Sequence, residues 1–342
     1  MNILVTGGAG YIGSHAVKRL LTDGHNVTIY DNLDRGHREA VAALKTVSGG
    51  GELGFVEADI NDEEKLHEVM SVAAIDTVMH FAALAYVGES VTDPLRYFYN
   101  NTSGALALLR ACDAQHVRRF IFSSTCATYG EPPAESIPIA ETCPQSPINP
   151  YGWSKLFVER ILKDYAAGKR AQGDTSFSYA ALRYFNVAGS DPDGLIGEDH
   201  EPETHLIPVI LLAALGQRDA ITIFGTDYDT PDGTCIRDYV HVNDLVDAHV
   251  TVMNALEPGD ERVYNLGIGN GYSVREIIDA AKEVTGIDFK VVEGERRAGD
   301  PPQLYADPSK IRTELGWSAK HTDVREIIEH AWGWFREHPK GY

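Results

Sequence analysis

Thr6-Gly7-Gly8-Ala9-Gly10-Tyr11-Ile12-Gly13 follows a short apolar run, Asn2–Thr6, and opens a segment of helical period, Gly13–Thr22. The string satisfies Gly-x-Gly-x-x-Gly from Gly8 and Gly-x-x-Gly-x-x-Gly from Gly7. Alone it is a weak motif. Between a buried strand and an amphipathic helix it gains meaning, because backbone N–H groups and the helix dipole then face a pyrophosphate. Side chains at Gly8 or Gly10 would block that approach. A turn with glycines only for packing is the bland alternative.

Outward from this turn, strands are expected at Asn26–Tyr30, Gly54–Glu57, Thr77–Phe81 and Arg119–Ser123. Helices are expected near Glu63–Ala73, Pro94–Ala114 and Tyr151–Ala166, and the alternation implies a parallel sheet. The fold class is α/β, a Rossmann-type doubly wound parallel sheet with a smaller mixed α/β carboxyl-terminal substrate lobe. Past Asn186, Gly, Pro, Asp and Thr crowd residues 189–208 and 225–234, which marks long loops of the functional kind. A last helical pattern spans Asp323–Glu337. Residues 1–187 are expected to form the cofactor domain, with a returning segment near 235–258, and 188–342 the substrate lobe. A cleft between them is expected to hold the substrate.

Composition narrows the function classes. The 342 residues suggest roughly two domains at about 150 residues each, and 43% hydrophobic content is that of a globular chain. Fifty acidic against thirty basic side chains leave a net charge of −20, which repels nucleic acid and anionic lipid. Any anionic ligand then needs a local pocket. Cys112, Cys126, Cys143 and Cys235 form no CxxC pair, so a reducing compartment is the simplest reading. The most apolar stretch, Leu206–Gly216, contains Pro208 and falls short of the roughly 18 residues a bilayer span requires. Met1–Thr6 has no basic n-region. A soluble, cytoplasmic protein with no nucleic-acid or membrane partner is expected.

Asp31 ends the second strand eighteen residues after Gly13, near the spacing of a carboxylate that binds adenosine ribose hydroxyls. It selects NAD, since a 2′-phosphate would sit against it, and Arg35 reads as a solvated loop charge. Asp59, past the third strand, meets either the adenine edge or, as an N-cap, the helix at Glu63.

Tyr151 and Lys155 stand four apart in Asn149-Pro150-Tyr151-Gly152-Trp153-Ser154-Lys155, hence on one helical face, with Pro150 suited to the first turn. A phenol ionises near pH 10, so neutral-pH work needs about 4 kcal/mol of preference for phenolate. An ammonium about 4 Å away supplies a comparable amount at an effective dielectric near 20. The pair is common by chance. A third element raises it: Ser123-Ser124-Thr125 closes a strand, where open parallel sheets bind ligands. Thr125 is then placed to hydrogen-bond a substrate oxygen beside Tyr151, with local backbone bonding as the alternative for Ser124 and Thr125.

With these residues in place the chain resembles the extended short-chain dehydrogenase/reductase family, and within it the UDP-glucose 4-epimerases, over essentially its whole length. The strings that carry the resemblance are Gly7 to His15, Val87-Gly88-Glu89-Ser90, Asn100-Asn101, Tyr151-Gly-x-Ser-Lys155, Arg183-Tyr184-Phe185-Asn186, Ile223 to Tyr228, Asp232 to Tyr239 and Pro339-x-Gly341-Tyr342. The resemblance implies NAD, a UDP-sugar substrate and inversion at sugar C4 through a transient 4-keto sugar. Tyr151 accepts the C4 hydroxyl proton, Lys155 assists it and bonds the nicotinamide ribose, and Thr125 touches the reacting oxygen.

The same matching implies cofactor contacts from Gly7, Gly10, Tyr11, Ile12 and Gly13 in the turn and from Asp31, Asn32, Asp59 and Ile60 at the adenosine end. Phe81, Ala82, Ala83, Asn100, Ser123 and Tyr184 join Tyr151 and Lys155 near the nicotinamide. Asn186, His205, Leu206, Phe224, Arg237, Arg297 and Asp300, with Thr125, are implied for the substrate, the arginines clamping a diphosphate in an acidic protein.

Departures accompany the matches. Ala85 stands where many members have Lys, so one polar contact is absent. His205 replaces a common Asn, and Leu304 falls at a position that sets room for an N-acetyl group. Ser124 to Gly130 and Pro202 to Pro208 resemble the branch with UDP-xylose/UDP-arabinose 4-epimerases. A nucleotide-sugar 4,6-dehydratase is the rival enzyme, but Cys126 and Ala127 after Thr125 cannot protonate a leaving hydroxyl. A non-catalytic NAD-sensing regulator is the rival from another class. His200, His205, His241 and His249 lie near acids without a recognised ligand spacing, so no metal is expected. Helices near Pro94–Ala114 and Tyr151–Ala166 suggest a homodimer packed as a helical bundle.

Overall fold

The first strand, β1 (Asn2–Thr6), buries Ile3, Leu4 and Val5 completely, which is what a central strand covered on both faces requires. In the computed structural model, which describes residues 1–297 and 300–342, strands and helices alternate from there. They are α1 (Tyr11–Thr22), β2 (Asn26–Asp31), α2 (Arg38–Leu44), β3 (Leu53–Glu57), α3 (Glu63–Val72) and β4 (Thr77–His80). Three helical pieces follow, α4 (Val87–Thr92), α5 (Pro94–Tyr97) and α6 (Gly104–Ala114), then β5 (Arg119–Thr125), α7 (Pro150–Ala171) and β6 (Ser178–Tyr184).

The later chain gives β7 (Asn186–Ala188), α8 (Leu206–Ala214), β8 (Ile221–Phe224), β9 (Ile236–Arg237), β10 (Tyr239–His241) and α9 (Val242–Ala255). It ends with β11 (Glu261–Leu266), β12 (Tyr272–Ser273), α10 (Val274–Thr285), β13 (Val291–Gly294), β14 (Gln303–Leu304), α11 (Ser309–Leu315) and α12 (Val324–Glu337).

Seven strands form one sheet in the order β11-β6-β5-β4-β1-β2-β3. From β3 to β5 the pairing is parallel, with Thr6 beside both Tyr30 and His80. Read from the other edge, the order 3-2-1-4-5-6 is that of a doubly wound sheet, whose switch point lies between β1 and β4. Phe81 and Ala82 both donate their N–H to the Thr6 carbonyl there, at 2.9 and 3.0 Å. A hydrophobic cluster including Leu66, Leu108, Leu109, Phe120, Val158 and Leu162 joins sheet residues to α3, α6 and α7.

Met1–Gly130, Pro144–Arg183 and Val246–Tyr264 form one compact unit; Glu131–Cys143, Tyr184–Leu245 and Asn265–Tyr342 form the other. The second unit has its own core, where Ile207, Ile210 and Leu211 of α8 pack with Ile277, Ile328 and Trp334. Its strands make three small sheets, β7 with β10, β13 with β8, and β9 between β12 and β14.

Three elements around the switch point and beyond it differ from expectation. The single helix expected over Pro94–Ala114 is broken by a π-helical turn, Phe98–Ser103. Buried Asn101 sits in that turn, accepting from the Leu84 N–H (2.9 Å) and donating to the Leu84 carbonyl and the Ser154 hydroxyl (3.0 Å each). Helix α4 was not anticipated, because Val87–Thr92 is too short for a periodic signal. The fourth strand stops at His80, one residue early, since the Phe81 N–H turns to Thr6.

Candidate active site

The glycine turn is built for close approach. Gly7 adopts φ +72°, and a Cβ there would lie 2.5 Å from the Ala82 nitrogen. A Cβ on Gly13 would fall 2.0 Å from the Gly7 carbonyl oxygen, so both glycines are dictated by packing. Gly10 is different: its Cβ would meet only the Gly7 carbonyl oxygen, at 3.5 Å, and Gly10 is the uncapped N-cap of α1, whose first turn holds no acid. That leaves backbone donors and a positive helix end for a phosphate. Tyr11 and Ile12 open the helix, with the Tyr11 ring edge-on to His15.

Asp31, at the carboxyl end of β2, is buried and accepts from the Ala9 and Leu33 N–H groups at 3.0 and 2.9 Å. Burial raises its pKa, and the two backbone bonds oppose that. Asn32 donates to Asp59 at 3.0 Å, linking the ends of β2 and β3. The donor set fits a dinucleotide: glycine turn, acid-free helix start and a carboxylate at the second strand's end.

Three expectations around this cradle are corrected. Asp59 is not the N-cap of α3; Asp62 is, accepting from the Lys65 N–H at 3.0 Å, while Asp59 is held by Asn61 and Asn32 three residues too early. Arg35 is no solvated loop charge, for it pairs with Glu89 at 3.3 Å and stacks 4.7 Å over the Tyr86 ring. Ser124 does not turn to local backbone; its hydroxyl donates to buried Glu159 at 2.5 Å. Ile60 lies in the core at 4% exposure, against Gly104.

Helix α7 begins where it does because Asn149 caps it, accepting from the Gly152 N–H at 2.8 Å, and Pro150 fills the first turn. Tyr151 and Lys155 are therefore one turn apart at its start. Lys155 is 4% exposed and donates from Nζ to the Ser123 carbonyl at 2.8 Å. Burial lowers its pKa to about 7. Behind it His80 stacks on Phe122, and its Nδ1 lies 2.7 Å from the Thr6 hydroxyl. Burial, then the Lys155 charge, hold His80 at about 3, hence neutral. Thr125 closes β5 with its Oγ1 accepting from the Ala127 N–H at 3.1 Å. Phe81, Ala82 and Ala83 follow β4, and Asn100 lies in the π-helical turn, donating to Asn101.

Glu159 is a buried charge next to the site that the sequence reading missed. It lies one turn beyond Lys155, takes two bonds from Arg183 (2.9 and 2.6 Å) and one from Gln145, and is buried like its partner. Arg183 also donates to the Tyr129 hydroxyl at 2.8 Å. The signal was available: Tyr151, Lys155 and Glu159 recur every four residues.

In the second unit, Arg237 ends β9 beside Leu304 of β14, donates to the Pro301 carbonyl at 2.9 Å and lies 3.6 Å from Asp300. Arg297 stacks 3.9 Å over Phe224, whose ring is 39% exposed, and the Asp300 N–H reaches the Arg297 carbonyl. Those four residues form one cluster. Tyr184 ends β6, Asn186 begins β7 with its N–H on the Asp238 carbonyl, and His205 and Leu206 start α8. Histidines 200 and 205 are not isolated: with Glu198 and Glu203 they make one group. Burial opposes charge on both rings, but their bonds to the two glutamates outweigh it and raise both pKa values.

The pattern of the NAD dependent epimerase/dehydratase family matches residues 3–267. The chain belongs to that family. Among curated members it is 49% identical to the "Probable UDP-arabinose 4-epimerase 1" of Oryza sativa subsp. japonica, over all of this chain and 81% of that one. It is 48% identical to the UDP-glucose 4-epimerase of Lacticaseibacillus casei, over all of this chain and 99% of that one. Among solved members, the UDP-glucose-4-epimerase of Stenotrophomonas maltophila with bound NAD and formylated UDP-arabinopyranose aligns with a TM-score of 0.93 at 41% identity, covering 99% of each chain. As an NAD dependent epimerase/dehydratase family member the chain thus combines the dinucleotide turn with a Tyr-x-x-x-Lys helix.

Proposed function

We propose that the chain is an NAD-dependent epimerase that inverts C4 of a UDP-sugar, UDP-glucose/UDP-galactose first and UDP-xylose/UDP-arabinose second, through a transient 4-keto sugar. One observation carries the chemistry: Tyr151 and Lys155 share a face at the capped start of α7, with the Lys155 amine pinned on the Ser123 carbonyl near the carboxyl end of β5. Tyr151 takes the C4 hydroxyl proton on its phenol oxygen and returns it when the sugar has turned. Lys155, when protonated, favours the phenolate by charge. Thr125 bonds the reacting oxygen. NAD, when bound, supplies the acceptor that takes and gives back the C4 hydride, so net redox is zero. Gly7 to Gly13, Asp31, Asn32 and Asp59 hold it, with Ile60, Phe81 to Ala83, Asn100, Ser123 and Tyr184 around it. Arg237 and Arg297 clamp the diphosphate, with Asn186, His205, Leu206, Phe224 and Asp300 beside it.

The first compact unit is assigned to NAD and the second to the UDP-sugar. A cytoplasmic place in galactose metabolism is part of the proposal. So is a homodimer, supported by exposed Val91, Leu95 and Tyr99, with Trp153 and Phe157 of α7, on one unit. Among the described residues, no helix is long and apolar enough to cross a membrane. The elimination of a dehydratase lacks its acid, because Cys126 and Ala127 follow Thr125.

The test is to incubate purified protein, with no added NAD, with UDP-galactose and separately UDP-xylose, and to separate the products. Interconversion of either supports the reaction class, and the ratio of rates ranks the substrates. No turnover on any UDP-sugar, with NAD bound, removes the proposal in favour of an NAD-sensing regulator.

A further inference from the structure

The loop between β7 and α8 carries a set of side chains arranged unlike a surface ion pair. Glu198, His200, Glu203 and His205 each present one ligand atom, and these atoms all lie within 4.8 Å of one another. Nδ1 of His200 is 3.2 Å from Glu198 Oε1 and 3.5 Å from Glu203 Oε2. Nδ1 of His205 is 3.2 Å from that same Glu198 oxygen. A tetrahedron with metal–ligand bonds of about 2.1 Å has edges of about 3.4 Å. Three of the four imidazole–carboxylate spacings lie near that edge, while the fourth, His205 Nδ1 to Glu203 Oε1, is a direct contact at 2.8 Å.

Two further features separate the group from a chance cluster. Both carboxylates are buried, Glu198 at 4% and Glu203 at 6% side-chain exposure. Glu203 Oε1 is fixed by the Thr204 and His205 N–H groups at 2.6 and 2.7 Å and by His205 Nδ1 at 2.8 Å, whereas Oε2 is buried, makes no hydrogen bond among the described residues and has only His200 Nδ1 facing it at 3.5 Å. A buried carboxylate oxygen left this way is costly. The loop is also braced from outside. The Gly197 N–H donates to the Tyr342 hydroxyl, the Tyr342 N–H to Asp199, and Arg218 to the Glu203 carbonyl. A Cβ on Gly197 would lie 2.2 Å from the Trp334 ring, so the backbone beside Glu198 is seated against α12.

We propose that Glu198, His200, Glu203 and His205 bind one divalent transition-metal cation of the zinc type, which locks this loop to the start of α8. Two imidazole nitrogens and two carboxylate oxygens are the donors such borderline cations prefer, and two negative charges balance a dication. Magnesium and calcium want six or more oxygens and fit poorly. With four protein ligands the site is closed, hence structural. The metal takes no part in the hydride step, whichever sugar is turned over.

The test uses untagged full-length protein, stripped with a chelator, dialysed against micromolar zinc chloride or, separately, magnesium chloride, and assayed for bound metal by mass spectrometry. One zinc per chain, no magnesium, and a thermal midpoint that rises with zinc are expected. Glu203→Gln keeps an oxygen for the two backbone donors and should lower zinc affinity more than about tenfold; Glu198→Gln, made in parallel, should do the same. Circular dichroism identifies the variant that is folded and therefore read. Substoichiometric zinc in the wild type overturns the proposal. So does zinc bound equally by a folded variant, which marks adventitious binding at surface histidines.

Discussion

Among the described residues Lys155 has one hydrogen-bond partner and is only 4% exposed, and burial brings its pKa to about 7 from the ordinary 10.5. Between those values the unfolded chain binds more protons than the folded one, so stability from this group rises with pH across that window. Below about pH 7 both states carry the proton and the burial cost is paid in full. Lys155→Met titrates nothing there. The wild type is therefore expected to gain stability relative to Lys155→Met as pH climbs from about 7 to 10.5, read from urea midpoints at several pH values; parallel curves would contradict the burial argument. Tyr151→Phe tests the neighbouring group. It removes the proton acceptor and leaves the pocket, so kcat should fall at least about 100-fold while NAD stays bound. Assay of NAD released on denaturation checks the second half, and near-normal turnover would end Tyr151's role.

At the scale of the element, helix α7 works as a ruler. Its cap at Asn149 sets the phase, and every fourth residue thereafter, Tyr151, Lys155 and Glu159, comes onto the face to which the proposed chemistry is assigned. Glu159 anchors that face to β6 through Arg183 and to β5 through Ser124. Glu159→Gln leaves a guanidinium buried beside a neutral amide and should cost about 3 kcal/mol of stability by chemical denaturation. The glycine turn is the second such element. Gly13→Ala drives a methyl into the Gly7 carbonyl, so the turn must open and the purified variant should lose its bound NAD; full retention would show that the turn has room. The π-helical turn was illegible in the sequence for a physical reason. Its register is set by what Asn101 reaches, Leu84 and Ser154, and neither lies near it in sequence.

For the whole molecule, assembly is the open prediction. Val91 is 61%, Leu95 79% and Tyr99 63% exposed, three large apolar side chains close together in the chain, as a buried interface would use them. Sedimentation at micromolar protein should give a dimer, and Val91→Glu with Leu95→Glu should give a monomer; a monomeric wild type removes the interface. Most of the sheet was legible in advance, β1 to β5 to within two residues at each end, because alternation of apolar runs and helical periods is a property of neighbours along the chain. The glycine turn, Asp31 and the Tyr-x-x-x-Lys pair were legible for the same reason: fixed short spacings on regular elements. The partners were not. Arg183 with Glu159, Arg35 with Glu89, and the four donors of the Glu198–His205 loop meet because the chain returns or coils on itself without a repeat. Local pattern thus set the order of strands and helices and the residues offered to chemistry. Which of those residues are paired, buried or left facing a ligand came from packing, since desolvation and hydrogen bonding depend on distances in space that no spacing along the chain encodes.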